Sequence, residues 1–140
     1  MIAIASDHAG LNLKEKIKQH LEDLKFEVKD FGTYDTGSCD YPVFAKKACE
    51  AVLSDECDKA ILICGTGIGM SMAANKIRGI RAAVCTETYM AKYTRLHNDA
   101  NVLCMGARVI GDGVALEITD TFITTGFEGG KHKRRIAMFE

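Results

Sequence analysis

No charge of either sign dominates this sequence: 18 Lys and Arg stand against 19 Asp and Glu. A chain without a net field has nothing to recruit nucleic acid or an acidic membrane surface. No apolar run approaches the roughly 20 residues that cross a bilayer, and the opening Met-Ile-Ala-Ile-Ala-Ser is too short for a secretory leader. Cysteines occur at 39, 49, 57, 64, 85 and 104, yet no C-x-x-C pair and no zinc-like alternation with histidine is among them. Reduced thiols and a cytoplasmic location are the expectation. Tryptophan is absent and proline occurs once, at Pro42. Repeats and low-complexity linkers are missing too. With 47% hydrophobic residues, the chain is expected to fold as one ordered domain over residues 1–140.

What the sequence does have is concentrated in Lys59-Ala-Ile-Leu-Ile-Cys-Gly-Thr-Gly-Ile-Gly-Met-Ser71. Ala60 to Ile63 reads as a buried central strand. Gly65, Gly67 and Gly69 remove side chains where backbone N–H groups can close around an anion. A helix starting near Ile68 would aim its positive end at the same point. Cys64 stands at the lip, where those amides and that field favour a thiolate. The plain alternative is a small buried hydrophobe at a strand end. The spacing G-T-G-I-G fits neither dinucleotide nor P-loop patterns, so no nucleotide is signalled.

Around this stretch, strands and helices alternate. Ile2 to Ala5, Phe26 to Phe31, Arg81 to Cys85 and Val102 to Met105 read as further strands. Leu13, Ile17, Leu21 and Leu24 share one helical face, with Lys14, Glu15, Lys18 and Glu22 expected in water. Pro42 introduces a helix over Val43 to Leu53. Thr88 to Leu96 reads as another helix, and Ala115, Ile118, Phe122 and Ile123 mark one more. The apolar tail Ile136 to Phe139 is expected to pack against something. Five strands alternating with helices predict a doubly wound parallel sheet with helices on both faces. Its ligand belongs at the strand carboxyl ends, at a switch in strand order. In a flavodoxin-like order, Asp7-His8 after the first strand and Cys64-Gly65 after the third are neighbours.

Other candidates carry plain alternatives. Asp7 and His8 are a helix-capping pair or ligands. Tyr41 is core packing or a contact to a ligand. His20 reads as solvated, and the cysteines other than Cys64 as structural. The basic run 131–135 is a solvated face or a phosphate site, with Lys131 and Arg135 four residues apart on one helical side. His97-Asn98 closes a helix and precedes a strand, which puts it at the amino edge of the sheet, away from Cys64. The pair is structural, or it serves the site of another subunit.

The motifs S-D-H-A-G at 6–10, D-Y-P at 40–42, C-G-T-G-I-G-M-S at 64–71, H-N-D-A-N-V-L at 97–103, G-A-R at 106–108 and G-G-K-H at 129–132 run through the whole chain. In these the sequence resembles the type B ribose-5-phosphate isomerases, a family that includes allose- and galactose-6-phosphate isomerases. The resemblance implies a three-layer Rossmann-like domain with a five-stranded parallel sheet and a C-terminal helix packing on a partner subunit. A homodimer with shared sites, or a tetramer of such dimers, goes with it. It implies aldose–ketose isomerisation of a sugar phosphate through a cis-enediolate, with no metal and no cofactor. Cys64 is then the base, and His97 opens the sugar ring with help from Asp7 or Thr66. The amides of Gly65, Thr66, Gly67, Ile68 and Gly69, with Asn98, hold the oxyanion. Asp7, His8 and Tyr41 contact hydroxyls or phosphate, and Arg108, Lys131 and Arg135 the phosphate. Some members use a glutamate at the place of Ser71 as base, so Cys64 with Ser71 points to the cysteine branch. Lys131 departs from the family's usual arginine and loses its bidentate fork. D-Ribose 5-phosphate is the expected substrate, with a hexose 6-phosphate isomerase or a non-catalytic phosphosugar-binding module as alternatives.

Overall fold

The computed structural model describes residues 1–140. Strands β1 (Ile2–Ser6), β2 (Val28–Asp30), β3 (Lys59–Cys64), β4 (Ala82–Val84) and β5 (Val102–Gly106) alternate with helices α1 (Leu11–Asp23), α2 (Tyr41–Leu53), α3 (Ile68–Asn75), α4 (Thr88–Asn98) and α5 (Asp112–Thr124). A last helix, α6 (Lys131–Ala137), carries the basic run. The five strands form one parallel sheet in the order β2-β1-β3-β5-β4.

That order differs from the flavodoxin-like one. The all-apolar run of β5 is buried along its whole length, whereas Ala82 to Val84 are only half-buried. Burial therefore favours β5 inside and the short β4 at the edge. The neighbourhood of β1 and β3 survives the change, and β5 now sets Gly106 directly opposite Cys64. The strands at both edges are also shorter than their apolar patterns predict, three residues each.

Alternation along the strands separates two cores. Ala3, Ala5, Ala60, Leu62, Cys64, Val102 and Cys104 face α2 and α3. Ile2, Ile4, Ile61, Ile63, Leu103 and Met105 face α1, α4 and α5. The connection from β4 to β5 runs back across the sheet. A right-handed crossover in that direction must cover the opposite face, which is where α4 lies.

The expectation that Lys14 faces water is wrong. Its side chain is wholly buried, with Nζ 2.7 Å from Asp30 Oδ1 and 2.6 Å from the Thr33 carbonyl oxygen. The cause is helical spacing: Lys14 is three residues before Ile17 and seven before Leu21, so it lies on the apolar stripe. His20 is not simply solvated either, because its Nε2 lies 2.7 Å from Asp120 Oδ1 on α5. The end of the tail is largely uncovered within the chain: Met138 is 82% and Phe139 64% exposed, while Ile136 is half-buried. No helix is long and apolar enough to cross a membrane.

Candidate active site

Two interlocked loops build the carboxyl edge of the sheet. Gly67 opens α3 with φ +82°, and a Cβ there would sit 2.9 Å from the Met105 carbonyl carbon. Gly106 is pressed equally hard against Thr66, whose carbonyl carbon would lie 2.6 Å from an added Cβ. Glycine is required at both places by close backbone approach, and at Gly67 by the left-handed turn as well. The Ala107 N–H donates to the Cys64 carbonyl oxygen at 2.9 Å and the Arg108 N–H to that of Gly65 at 3.0 Å. These bonds hold the glycine turn against the start of the next loop.

Inside this turn, the Gly67 N–H donates to Cys64 Sγ at 3.1 Å. A backbone donor aimed at sulfur stabilises negative charge on it. Thr66 Oγ1 accepts the Ile68 N–H at 3.2 Å, and the Ser71 hydroxyl donates to the Ile68 carbonyl oxygen at 2.7 Å. Thr66 and Ile68 are exposed, so the mouth of the turn is open. Tyr41, at the first turn of α2, lays its ring over Gly69, where an added Cβ would come within 2.7 Å of Cζ. The Arg108 guanidinium lies beside Gly65, with Nη1 3.5 Å from where an added Cβ would stand.

Asp7 and His8 join this edge from β1. Asp7 Oδ1 accepts the Gly10 N–H at 3.0 Å, so Asp7 does shape the turn into α1. His8 Nδ1 accepts the Cys39 N–H at 3.3 Å and thereby ties the polar stretch 32–40 to the same edge. Below them, Lys14 bridges Asp30 to the Thr33 carbonyl while the Thr33 N–H donates to the Ser6 carbonyl oxygen. Lys14 thus braces the base of both loops. Its place on an apolar helical stripe was the signal that could have found it.

His97 and Asn98 lie elsewhere. Asp99 leaves α4 with φ 45°, and buried Arg95 clamps this end by donating to the Ala100 and Thr125 carbonyl oxygens. The Asn98 carbonyl oxygen accepts from Arg81 Nε just before β4. That is the amino edge, and β3 separates it from Cys64 by roughly 16 Å of strand. The His97 ring stacks on His132 of α6 at 4.0 Å, so α6 brings Lys131 and Arg135 to the neighbourhood of His97. The chain therefore gathers Asp7, His8, Tyr41, Cys64, the glycine turn, Ser71 and Arg108 at one edge. It gathers His97, Asn98, Lys131 and Arg135 at the other. A concavity of about 480 Å³ at the amino edge includes Asn98, and one of about 450 Å³ beside it includes both His97 and Asn98. Cys64 lines neither.

Burial sets four other thiols apart. It pushes Cys49 and Cys85 up to about 12, raises Cys104 well above the ordinary thiol value, and raises Cys57, with Glu56 adding to the effect. Thiols held neutral in this way are poor nucleophiles and poor bases.

Comparison with known proteins covers nearly the whole chain. The family model described as Ribose/Galactose Isomerase matches residues 2–139. Ribose-5-phosphate isomerase B of Escherichia coli is 47% identical over 135 residues, which is 96% of this chain and 91% of that protein. The structure of the Clostridium thermocellum ribose-5-phosphate isomerase B superposes with a TM-score of 0.97 at 54% identity, over 98% of this chain and 93% of the other. That of the Mycoplasma genitalium enzyme with bound ribulose-5-phosphate gives 0.93 at 44% identity, over 98% and 91%.

Proposed function

The chain belongs to the ribose/galactose isomerase family and is an isomerase, and we propose that it interconverts D-ribose 5-phosphate and D-ribulose 5-phosphate through a cis-enediolate. The observation that carries this reading is the Gly67 N–H on Cys64 Sγ, at the mouth of a glycine turn that opens a helix. The relatives named for this activity, one of them holding the ketose product, support the substrate.

In this reading His97 gives a proton to the ring oxygen while the C1 hydroxyl passes its own to the Asp7 carboxylate. The open aldehyde then presents C2 to Cys64. The thiolate removes the C2 proton, and the electron pair moves onto the carbonyl oxygen to form the enediolate. Free N–H groups of the Gly65–Gly69 turn and the Asn98 amide stabilise that charge as it develops. The proton returns from Cys64 to C1 while the C2 hydroxyl proton passes to the C1 oxygen, so that the C2 oxygen becomes the ketone. Thr66 and Asp7 assist the ring-opening proton transfer, and Asp7, His8 and Tyr41 orient hydroxyls. Arg108, Lys131 and Arg135 take the phosphate.

The site is shared between subunits of a homodimer. Support comes from the separation of the two clusters across the sheet, and from Met138 and Phe139, which offer an exposed apolar tail for a partner to cover. Each pocket then takes Cys64 and its neighbours from one subunit, and His97, Asn98, Lys131 and Arg135 from the other.

The test is kcat/KM for ribose 5-phosphate against allose and galactose 6-phosphates, together with exchange of the substrate C2 hydrogen with solvent. A preference for ribose 5-phosphate with exchange is expected. A preference for a hexose phosphate would move the substrate assignment, and binding without exchange would reduce the chain to a phosphosugar-binding module.

A further inference from the structure

His97, Glu128 and His132 bring one donor atom each to within 4.8 Å of one another. Both imidazoles turn Nε2 toward the same carboxylate, His97 at 3.6 Å from Glu128 Oε2 and His132 at 4.0 Å from Oε1. The backbone under them is docked. The Glu128 N–H donates to the Leu96 carbonyl oxygen at 3.0 Å, and the His132 N–H to that of Gly129 at 3.2 Å.

We propose that these three residues form a binding site for a late first-row divalent cation, with Zn²⁺ the best match, whose occupancy withdraws His97 from ring opening. Two imidazoles and one carboxylate with a fourth position open to solvent are a donor set suited to zinc. Donors around tetrahedral zinc, at bond lengths near 2.1 Å, lie about 3.4 Å apart. The donor atoms need to approach by only about 1.5 Å, and the His97 and Glu128 side chains are 39% and 56% exposed, so both are free to turn. The stacked rings must rotate apart until their lone pairs converge. Lys131 and Arg135, on the same helix as His132, stand close to this cluster. The same two cations repel a bound ion, so binding is weaker than at a structural zinc site. The site itself does not depend on the catalytic reading; the inhibition does, because it rests on the role proposed for His97.

The experiment is a Co²⁺ titration of the full-length wild-type protein, with Zn²⁺ inhibition of isomerisation and its reversal by chelator measured in parallel. Visible d–d bands without thiolate charge-transfer bands are expected. Glu128→Gln and His132→Gln should each weaken Co²⁺ binding by at least about tenfold, and Glu128→Gln should relieve Zn²⁺ inhibition by a similar factor. Thiolate charge transfer, absence of d–d bands, or Co²⁺ affinity unchanged in both variants would overturn the site. Zn²⁺ inhibition undiminished in Glu128→Gln would assign the inhibition to Cys64 instead. Co²⁺ binding at these residues with undisturbed turnover would uphold the site and remove His97 from ring opening.

Discussion

Cys64 differs from its fellow cysteines in what its sulfur touches. Cys64 is itself only 5% exposed, but its sulfur accepts a backbone N–H in a turn whose Thr66 and Ile68 face solvent, whereas Cys49, Cys85 and Cys104 lie deeper, at 0–1% exposure. Cys64→Ala should lower kcat by about 10²–10⁴-fold or more while substrate still binds, since the turn's amides remain. Full activity in that variant would end its role as base. The sealed thiols leave a different signature. Cys49 and Cys85 are raised from 9.0 to about 12, so the stability they contribute is fully present below about pH 9 and lost as pH climbs toward about 12. The unfolded chain releases these protons first, which costs about 1.4 kcal/mol per pH unit for each thiol in that window. Urea unfolding of wild type and of the Cys49→Ala/Cys85→Ala variant on either side of about pH 9 should show a flatter alkaline decline in the variant. Equal slopes would mean the thiols ionise freely in the fold. Lys14 makes a third case. Lys14→Met takes the nearer of two cations from Asp30, whose side chain is only 8% exposed, and leaves it Lys18 at 3.5 Å and the Gly32 N–H; the loss should be about 2–4 kcal/mol, partly recovered when Asp30 is also made apolar.

At the scale of elements, the α3 turn and the start of the loop after β5 are fitted together, glycine against backbone from both sides. Gly106→Ala has ordinary φ but no room, so the Thr66 turn must move. We expect a stability loss of about 1–3 kcal/mol with a disproportionate fall in kcat. Unchanged kcat in a folded Gly106→Ala protein would show that the turn's position is not critical. Helix α6 carries the other element-scale test. Lys131 and Arg135 are exposed and one turn apart, so Arg135→Ala should raise KM for ribose 5-phosphate far more than it weakens unphosphorylated ribose. Equal weakening of both sugars would make α6 a general basic face.

For the whole molecule, the decisive question is whether one chain can make one site. Cys64→Ala and Asn98→Ala homodimers should both be crippled. Mixed at equal amounts and reassembled at random, about half the dimers carry both variants, and each of these concentrates both lesions in one site and leaves the other intact. Recovery of roughly a quarter of wild-type activity is expected. Activity that stays at the single-variant level, once subunit exchange is verified, would show that Cys64 and Asn98 do not meet across a dimer in this way.

Much of this was legible in local pattern. Apolar runs followed by periodic stripes dictate alternating strands and helices, and G-T-G-I-G before Met70 dictates a strand-to-helix turn, because these signals depend on neighbours in sequence. The placement of His97-Asn98 at the amino edge followed from chain order alone. What only the tertiary structure decided was everything that depends on competition for burial. The order β2-β1-β3-β5-β4 arises because wholly buried β5 displaces half-buried β4 from the centre, and neither run announces its partner. Lys14 looked like a solvated charge because its partners, Asp30 and Thr33, lie on a different strand and loop. The meeting of His97, Glu128 and His132 likewise needed α6 docked on α4, a contact set by packing between segments remote in sequence. Local periodicity records which way a side chain points; only packing determines what stands there to meet it.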